Sequence, residues 1–346
     1  MNPEQKRILI FNVNWIGDVL FSTAAIRNIR RNFSQGFIAC IVPSRCYPIL
    51  KGNPHLDEVI IYDDKDRHRG VLSQLKFIRY LKSKKFDAAY LLHRSFSRAL
   101  ICRLAGIPER VGYLTRKRAF LLTKSIIPPK KDSLHRIDYY LKIIEGAGLK
   151  AEDRYMEFFF SENDRMAAEG FLCRHRVGGK DFLAVLNPGG NWLPKRWPRE
   201  YWASLADMLI ERMGAKVVIS GAVADAELAQ AIGAGMKHKP VNACGALNIK
   251  QLGALAKRAD IFVTADSGPM HIAVAVGAKR VIAIFGPTDP AVTAPFPLKN
   301  VILLRKDVGC KIPCYVKDCP DNRFMRAITP EEVFSAIKST YEVATS

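Results

Sequence analysis

The chain has 346 residues, 49% hydrophobic and 25% charged, a composition that suits a globular protein of two domains and argues against disorder. No apolar run approaches the ~20 residues needed to span a bilayer. The net charge of +20 is uneven: residues 1–150 hold 28 Lys+Arg against 12 Asp+Glu, and residues 151–346 hold 25 against 21.

The polar tip MNPEQK runs straight into RILIFNV, with no h-region or small-residue cleavage site, so the expected location is cytoplasmic. Eight scattered cysteines in such a chain predict reduced thiols rather than a disulfide framework. The basic first half fits either a Lys/Arg-rich solvated surface or a polyanionic partner. Nucleic acid, an anionic membrane and a phosphorylated glycolipid all satisfy the second option.

In chain order, KRILIFNV, GFIACIVP, EVIIYD and FDAAYLL read as strands, with amphipathic helices after the first and before the last. A polar stretch between Arg154 and Lys180, containing SENDR and RHRVGGK, marks the domain boundary. Then DFLAVLNPG, AKVVISG, DIFVTAD and RVIAIFGP read as a second strand series, with REYWASLADMLIERMG, AELAQAIGAG and KQLGALAKRA as helices. Short apolar strands alternating with helices predict α/β layers around parallel sheets. The boundaries are residues 1–165 for one Rossmann-like domain, 175–328 for a second, and 329–346 for a terminal helix. That helix opens on Thr329 as N-cap and Pro330 at its first position.

Three strand-to-helix junctions offer chemistry. In TADSGPMHIAVAVGAKRVIAIFGPTDP a strand runs into Ser267-Gly268 and a helix, whose free N–H groups and dipole suit an anion. Asp266 stands at the strand tip, Ser267 is placed to cap the helix, and His271 follows one turn later; capping and core packing are the plain alternatives. In LNPGGNWLPKRWPREYW, Gly189 and Gly190 permit close backbone approach and Lys195 follows, without P-loop spacing. In FNVNWIGDVLFSTAA, Asp18 is either a helix-dipole charge or a general base. Cys310, Cys314 and Cys319 lack the fourth ligand of a closed zinc site, so no metal is expected there.

These stretches, with GIPERVGY and HRIDYYLKIIEGAGL, resemble the lipopolysaccharide heptosyltransferases of glycosyltransferase family 9, type II above all. The resemblance covers nearly the whole chain. It implies an α/β GT-B fold, two Rossmann-like domains facing across a cleft, with the last helix crossing back to the first domain. It implies transfer of heptose from ADP-L-glycero-β-D-manno-heptose to the heptosyl-Kdo-lipid A inner core, without a metal cofactor. The partners implied are ADP-heptose and an anionic lipopolysaccharide-precursor glycolipid. The implied location is peripheral, at the cytoplasmic face of the inner membrane, with no role for nucleic acid. Alternatives are a family 9 enzyme with another core acceptor or sugar-nucleotide donor and, more remotely, a nucleic-acid-binding protein.

Residue by residue, the resemblance makes Asp18 the general base and Lys195 the donor-phosphate contact. Gly189 and Gly190 contribute backbone only, where other members carry hydroxyl residues. Asp266 stands near the donor sugar, and Ser267, Gly268 and Pro269 form the helix start under the diphosphate; His271 belongs to the same motif. Asp225 falls at the ribose position and Leu247 near the adenine. Arg94, Arg98, Arg116, Lys117, Arg118 and His135 are the implied acceptor contacts.

Overall fold

A computed structural model describes residues 5–316 and 319–345, which divide into two units between Phe159 and Phe160. The first contains β1 (Arg7–Phe11), α1 (Ile16–Asn32), β2 (Phe37–Val42), α2 (Tyr47–Leu50), β3 (Glu58–Ile61), α3 (Val71–Ser83), β4 (Ala88–Leu91), α4 (Phe96–Leu104), β5 (Glu109–Tyr113), β6 (Lys124–Ile126) and α5 (Arg136–Gly146). All strand pairs are parallel, in the order β3-β2-β1-β4-β5-β6. Leu9 of β1 lies opposite Ala39 on one side and Ala89 on the other. Ile8, Leu9, Ile10 and Phe11 are all buried, as a central parallel strand covered on both faces requires. Leu9 and Phe11 share a core with Phe77 and Leu81 of α3 and Ala99 and Cys102 of α4. Helix α1 packs on α5.

The second unit contains α6 (Glu162–Arg174), β7 (Leu183–Asn187), α7 (Arg199–Met213), β8 (Lys216–Ile219), α8 (Ala226–Ala234), β9 (Val241–Asn242), α9 (Ile249–Arg258), β10 (Ile261–Ala265), α10 (Gly268–Ala275), β11 (Val281–Ile284), α11 (Pro290–Thr293), β12 (Val301–Leu304), α12 (Arg323–Arg326) and α13 (Pro330–Thr345). Its parallel order is β12-β11-β10-β7-β8-β9. Counted from β7, this is the order of the first unit again, the Rossmann arrangement. Ligands of such sheets bind beyond the strand ends where the order reverses. That point falls between β1 and β4 in one unit and between β7 and β10 in the other.

Every strand expected from the sequence is present, and β5, β6, β9 and β12 are additional. The polar SENDR, read as a boundary, opens a helix: Ser161 and Asp164 form a reciprocal capping box at the start of α6. Thr329 and Glu332 form the same device at α13. Helix α13, expected to cross to the first domain, packs Val333, Phe334 and Ile337 with Trp202, Leu205 and Leu209 of α7 in the second unit's core.

Candidate active site

At the first unit's switch point the chain leaves β1 and enters α1 through Asn12–Trp15. Asn12 is buried, and its amide donates to Ser22 Oγ at 2.9 Å while its Oδ1 accepts from Val13 N–H at 2.7 Å. Arg98 of α4 donates to the Asn12 carbonyl at 2.7 Å and to Asn14 Oδ1, with its guanidinium 5.1 Å from the Phe11 ring centre. The connection is therefore braced from α4. Asp18, the third residue of α1, is half-buried and accepts a hydrogen bond from Tyr140 Oη of α5 at 2.9 Å. Burial, and then the Asp18 carboxylate, push the Tyr140 phenol well above its ordinary value. It stays protonated as a donor.

Two of the proposed acceptor contacts are corrected here. Arg98 is buried and occupied in bracing the β1–α1 connection, and burial lowers it to about 10. Arg118 is fully buried, with its guanidinium on the carbonyls of Tyr113 and His93. Such arginines hold loops and have no face to offer a glycolipid. His135 is the N-cap of α5, its Nδ1 accepting from Ile137 N–H at 3.2 Å. Arg94, Arg116 and Lys117 are exposed.

At the second unit's switch point the loops after β7 and β10 come together. Lys195 Nζ donates to Asp266 Oδ2 at 2.7 Å, across 71 residues of sequence. Thr288 Oγ1, from the GPTDP loop after β11, donates to the same oxygen at 2.6 Å. Asp266 is buried and Lys195 half-buried, so this is a hydrogen-bonded ion pair whose carboxylate is withdrawn from water. Ser267 occupies the N-cap of α10 in extended conformation, but its hydroxyl makes no cap bond and lies 3.2 Å from Thr264 Oγ1. That corrects the capping expectation. Pro269, in the first turn, brings no N–H. His271 is buried one turn in.

The Gly189–Gly190 loop is held by Arg196, whose Nε donates to the Gly190 carbonyl at 2.8 Å. A Cβ on Gly189 would lie 2.5 Å from the Asp225 carboxylate, so only glycine admits that carboxylate beside the loop. Asp225 also accepts from Ala222 N–H at 2.9 Å and lies 4.0 Å from Arg196 Nη2. Leu247 is half-buried against the core that holds β10. The second unit thus offers a lysine, two carboxylates, a threonine and a helix N-terminus at strand ends, a set suited to a sugar diphosphate.

A sequence profile of glycosyltransferase family 9 (heptosyltransferase) matches residues 74–324. The chain belongs to this family. Lipopolysaccharide heptosyltransferase 2 of Escherichia coli K12 is 28% identical over 306 residues, 86% of this chain and 87% of that one. Lipooligosaccharide heptosyltransferase 2 of Campylobacter jejuni serotype O:6 is 28% identical over 346 residues, 96% and 98% of the two chains. Among solved structures, a family 9 glycosyltransferase of Veillonella parvula superposes with a TM-score of 0.87 at 26% identity, covering 96% of each chain. The E. coli ADP-heptose lipopolysaccharide heptosyltransferase II gives 0.80 at 25%, covering 98% of this chain and all of that one. The two Rossmann-type units are those of the GT-B class.

Two site residues of this family 9 chain escaped sequence reasoning. Tyr140 lies 122 positions from Asp18, inside HRIDYYLKIIEGAGL, and nothing local pairs it with that carboxylate. Thr288 sits in the GPTDP loop, where a polar residue at a strand end was the available signal. Cys310 and Cys319 are exposed, Cys314 is half-buried, and all three are free. Among the described residues no group of three or more His, Cys, Asp or Glu side chains is arranged to hold a metal ion, and no helix is long and apolar enough to cross a membrane.

Proposed function

We propose that this family 9 glycosyltransferase moves heptose from ADP-L-glycero-β-D-manno-heptose to the heptosyl-Kdo-lipid A inner core of lipopolysaccharide, inverting the anomeric carbon. The Lys195–Asp266–Thr288 cluster at the second unit's switch point carries this reading. The E. coli and C. jejuni relatives give it the donor and the acceptor class.

In the reaction the acceptor hydroxyl oxygen attacks the anomeric carbon and its proton passes to the Asp18 carboxylate. The bond from that carbon to the β-phosphate oxygen breaks, and its electron pair leaves with ADP. Lys195 offsets the charge that grows on the departing phosphate, the larger share of such catalysis. Asp266 then faces the sugar, held by Thr288 when the ammonium turns to phosphate. Asp225 takes the ribose and the Gly189–Gly190 backbone lies along the diphosphate. None of these steps calls on a metal, and EDTA is expected to leave turnover unchanged. The acceptor is a lipid, so the enzyme works peripherally at the cytoplasmic face of the inner membrane.

The deciding experiment offers the purified enzyme ADP-heptose, UDP-sugars and GDP-sugars, with acceptors carrying no, one or two core heptoses. The expected result is transfer from ADP-heptose to the one-heptose acceptor. Preference for the other acceptors moves the enzyme to another core position. Turnover of a different nucleotide sugar alone overturns the reading.

A further inference from the structure

The strands of the first unit are parallel, so the helices that follow them begin at the carboxyl edge of the sheet. Asp18 stands at that edge, at the start of α1. The starts of α3 and α4 stand there too, and both are apolar where water should meet them. Val71, Leu72 and Leu75, in the first five residues of α3, are exposed, Leu72 by 76%. Phe96, the first residue of α4, is exposed and touches Phe120 at a ring-centre distance of 6.3 Å; Phe120 is 66% exposed. Helix α3 packs on α4, and α4 on the turn that carries Phe120, so these side chains share one rim.

The loops of the same rim are basic. Lys65, Arg67 and Arg69 precede α3, Arg94 precedes α4, and Arg116 and Lys117 precede the Phe120 turn; all six are exposed. Asp64 and Asp66 are the exposed acids among them. From residue 71 to 131 the chain carries 15 Lys+Arg against Asp87 and Glu109 alone. Exposed leucines and phenylalanines ringed by cations are costly in water and suit a surface that is anionic outside and apolar just beneath.

We propose that this rim of α3, α4 and the Ala119–Leu121 turn docks on an anionic phospholipid bilayer. Leucine and phenylalanine side chains enter the headgroup–acyl boundary while the arginines and lysines pair with lipid phosphates. The proposal deepens the functional reading, on which its biological sense rests: it puts the Asp18 edge toward the surface in which a glycolipid acceptor is embedded.

The test is sedimentation of the full chain with phosphatidylglycerol/phosphatidylcholine vesicles, against pure phosphatidylcholine. The expected result is binding to the anionic vesicles only, weakened at least tenfold by Leu72→Glu/Leu75→Glu and by Phe120→Glu. Heptose transfer to a deacylated, water-soluble acceptor is expected to be unchanged in both variants, which shows that they fold. Wild-type protein that stays in the supernatant, binds both vesicle types equally, or is displaced by RNA at equal charge overturns the proposal. So do variants that bind like the wild type. Vesicle binding without ADP-heptose turnover leaves the docking surface standing and removes the functional reading, so the two fail separately.

Discussion

The two units repeat one strand order and each sets a carboxylate at its switch point, and different side chains hold the two. Asp266 is buried, faces the Lys195 ammonium at 2.7 Å and takes a second hydrogen bond from Thr288. Its negative charge is spent on a cation. Asp18 is half-buried and accepts from the neutral phenol of Tyr140. A phenol orients a carboxylate without neutralising it. The two carboxylates stand on opposite sides of equivalent switch points, Asp18 after β1 and Asp266 after β10, the counterpart of β4, and they are held by different groups. Topology places the group, and its neighbours assign its work.

Removing the proton acceptor breaks this contrast most severely. Asp18→Asn keeps the shape and the Tyr140 contact but cannot take a proton. The expected loss in kcat is about 10²–10⁴-fold, with ADP binding by calorimetry unaltered. A folded Asp18→Asn enzyme of near-normal turnover would remove Asp18 as the base.

The Lys195–Asp266 pair comes next. Lys195→Ala leaves Asp266 buried with Thr288 alone and withdraws the cation from the leaving phosphate. A fall in kcat/KM of about 10²-fold is expected, shared between weaker ADP binding and slower chemistry. Arg at this position restores charge but not the single-point geometry, and is expected to recover only part of the loss. Unchanged ADP affinity together with unchanged kcat would show that the pair is only structural.

Tyr140→Phe sharpens the comparison rather than breaking it. One hydrogen bond to a charged group is worth about 1.5–3 kcal/mol, and the expected loss is about tenfold in kcat with donor KM constant. A hydrogen bond donated to a carboxylate favours its charged form. The acid limb of the kcat/KM profile therefore moves to higher pH in the variant. A drop in rate with the limb unmoved would mean that Tyr140 only packs α5 against α1.

Much of this was legible in the sequence, and the limits have physical causes. The central strands β1, β4, β7 and β10 announce themselves as unbroken apolar runs because both faces are covered. Of the four edge strands only β3 does: β6 has three residues, β9 has two and β12 is half-buried throughout. Asp18, Lys195 and Asp266 were marked by Gly and Asp at strand ends. Tyr140 was not, because its partner arrives from distant sequence, and for Thr288 the GPTDP loop was marked but its bond to Asp266 was not. Arg98 and Arg118 were misjudged for the converse reason. An arginine buried on backbone carbonyls and one facing solvent look alike in sequence, since the carbonyls that claim them are set only by the tertiary fold.

Those same arginines give the smallest effect, again confined to the first unit. His93 Nδ1 accepts from Ser95 N–H at 3.0 Å, which requires an unprotonated nitrogen. Burial, then the nearby Arg98 and Arg118 guanidiniums, lower this imidazole from 6.5 to about 4. The unfolded chain therefore binds a proton on His93 through about pH 6.5, while the folded chain declines it until about pH 4. Stability that is fully present above the upper value is lost as pH falls through this window. Thermal unfolding is expected at lower temperature near pH 5 than near pH 7.5. His93→Asn can still accept from Ser95 but does not titrate, so its melting temperature falls less over the same interval. Equal falls in the two proteins would show that His93 is not the group responsible. A smaller fall in the variant traces the acid sensitivity to the arginine-braced rim that carries Asp18.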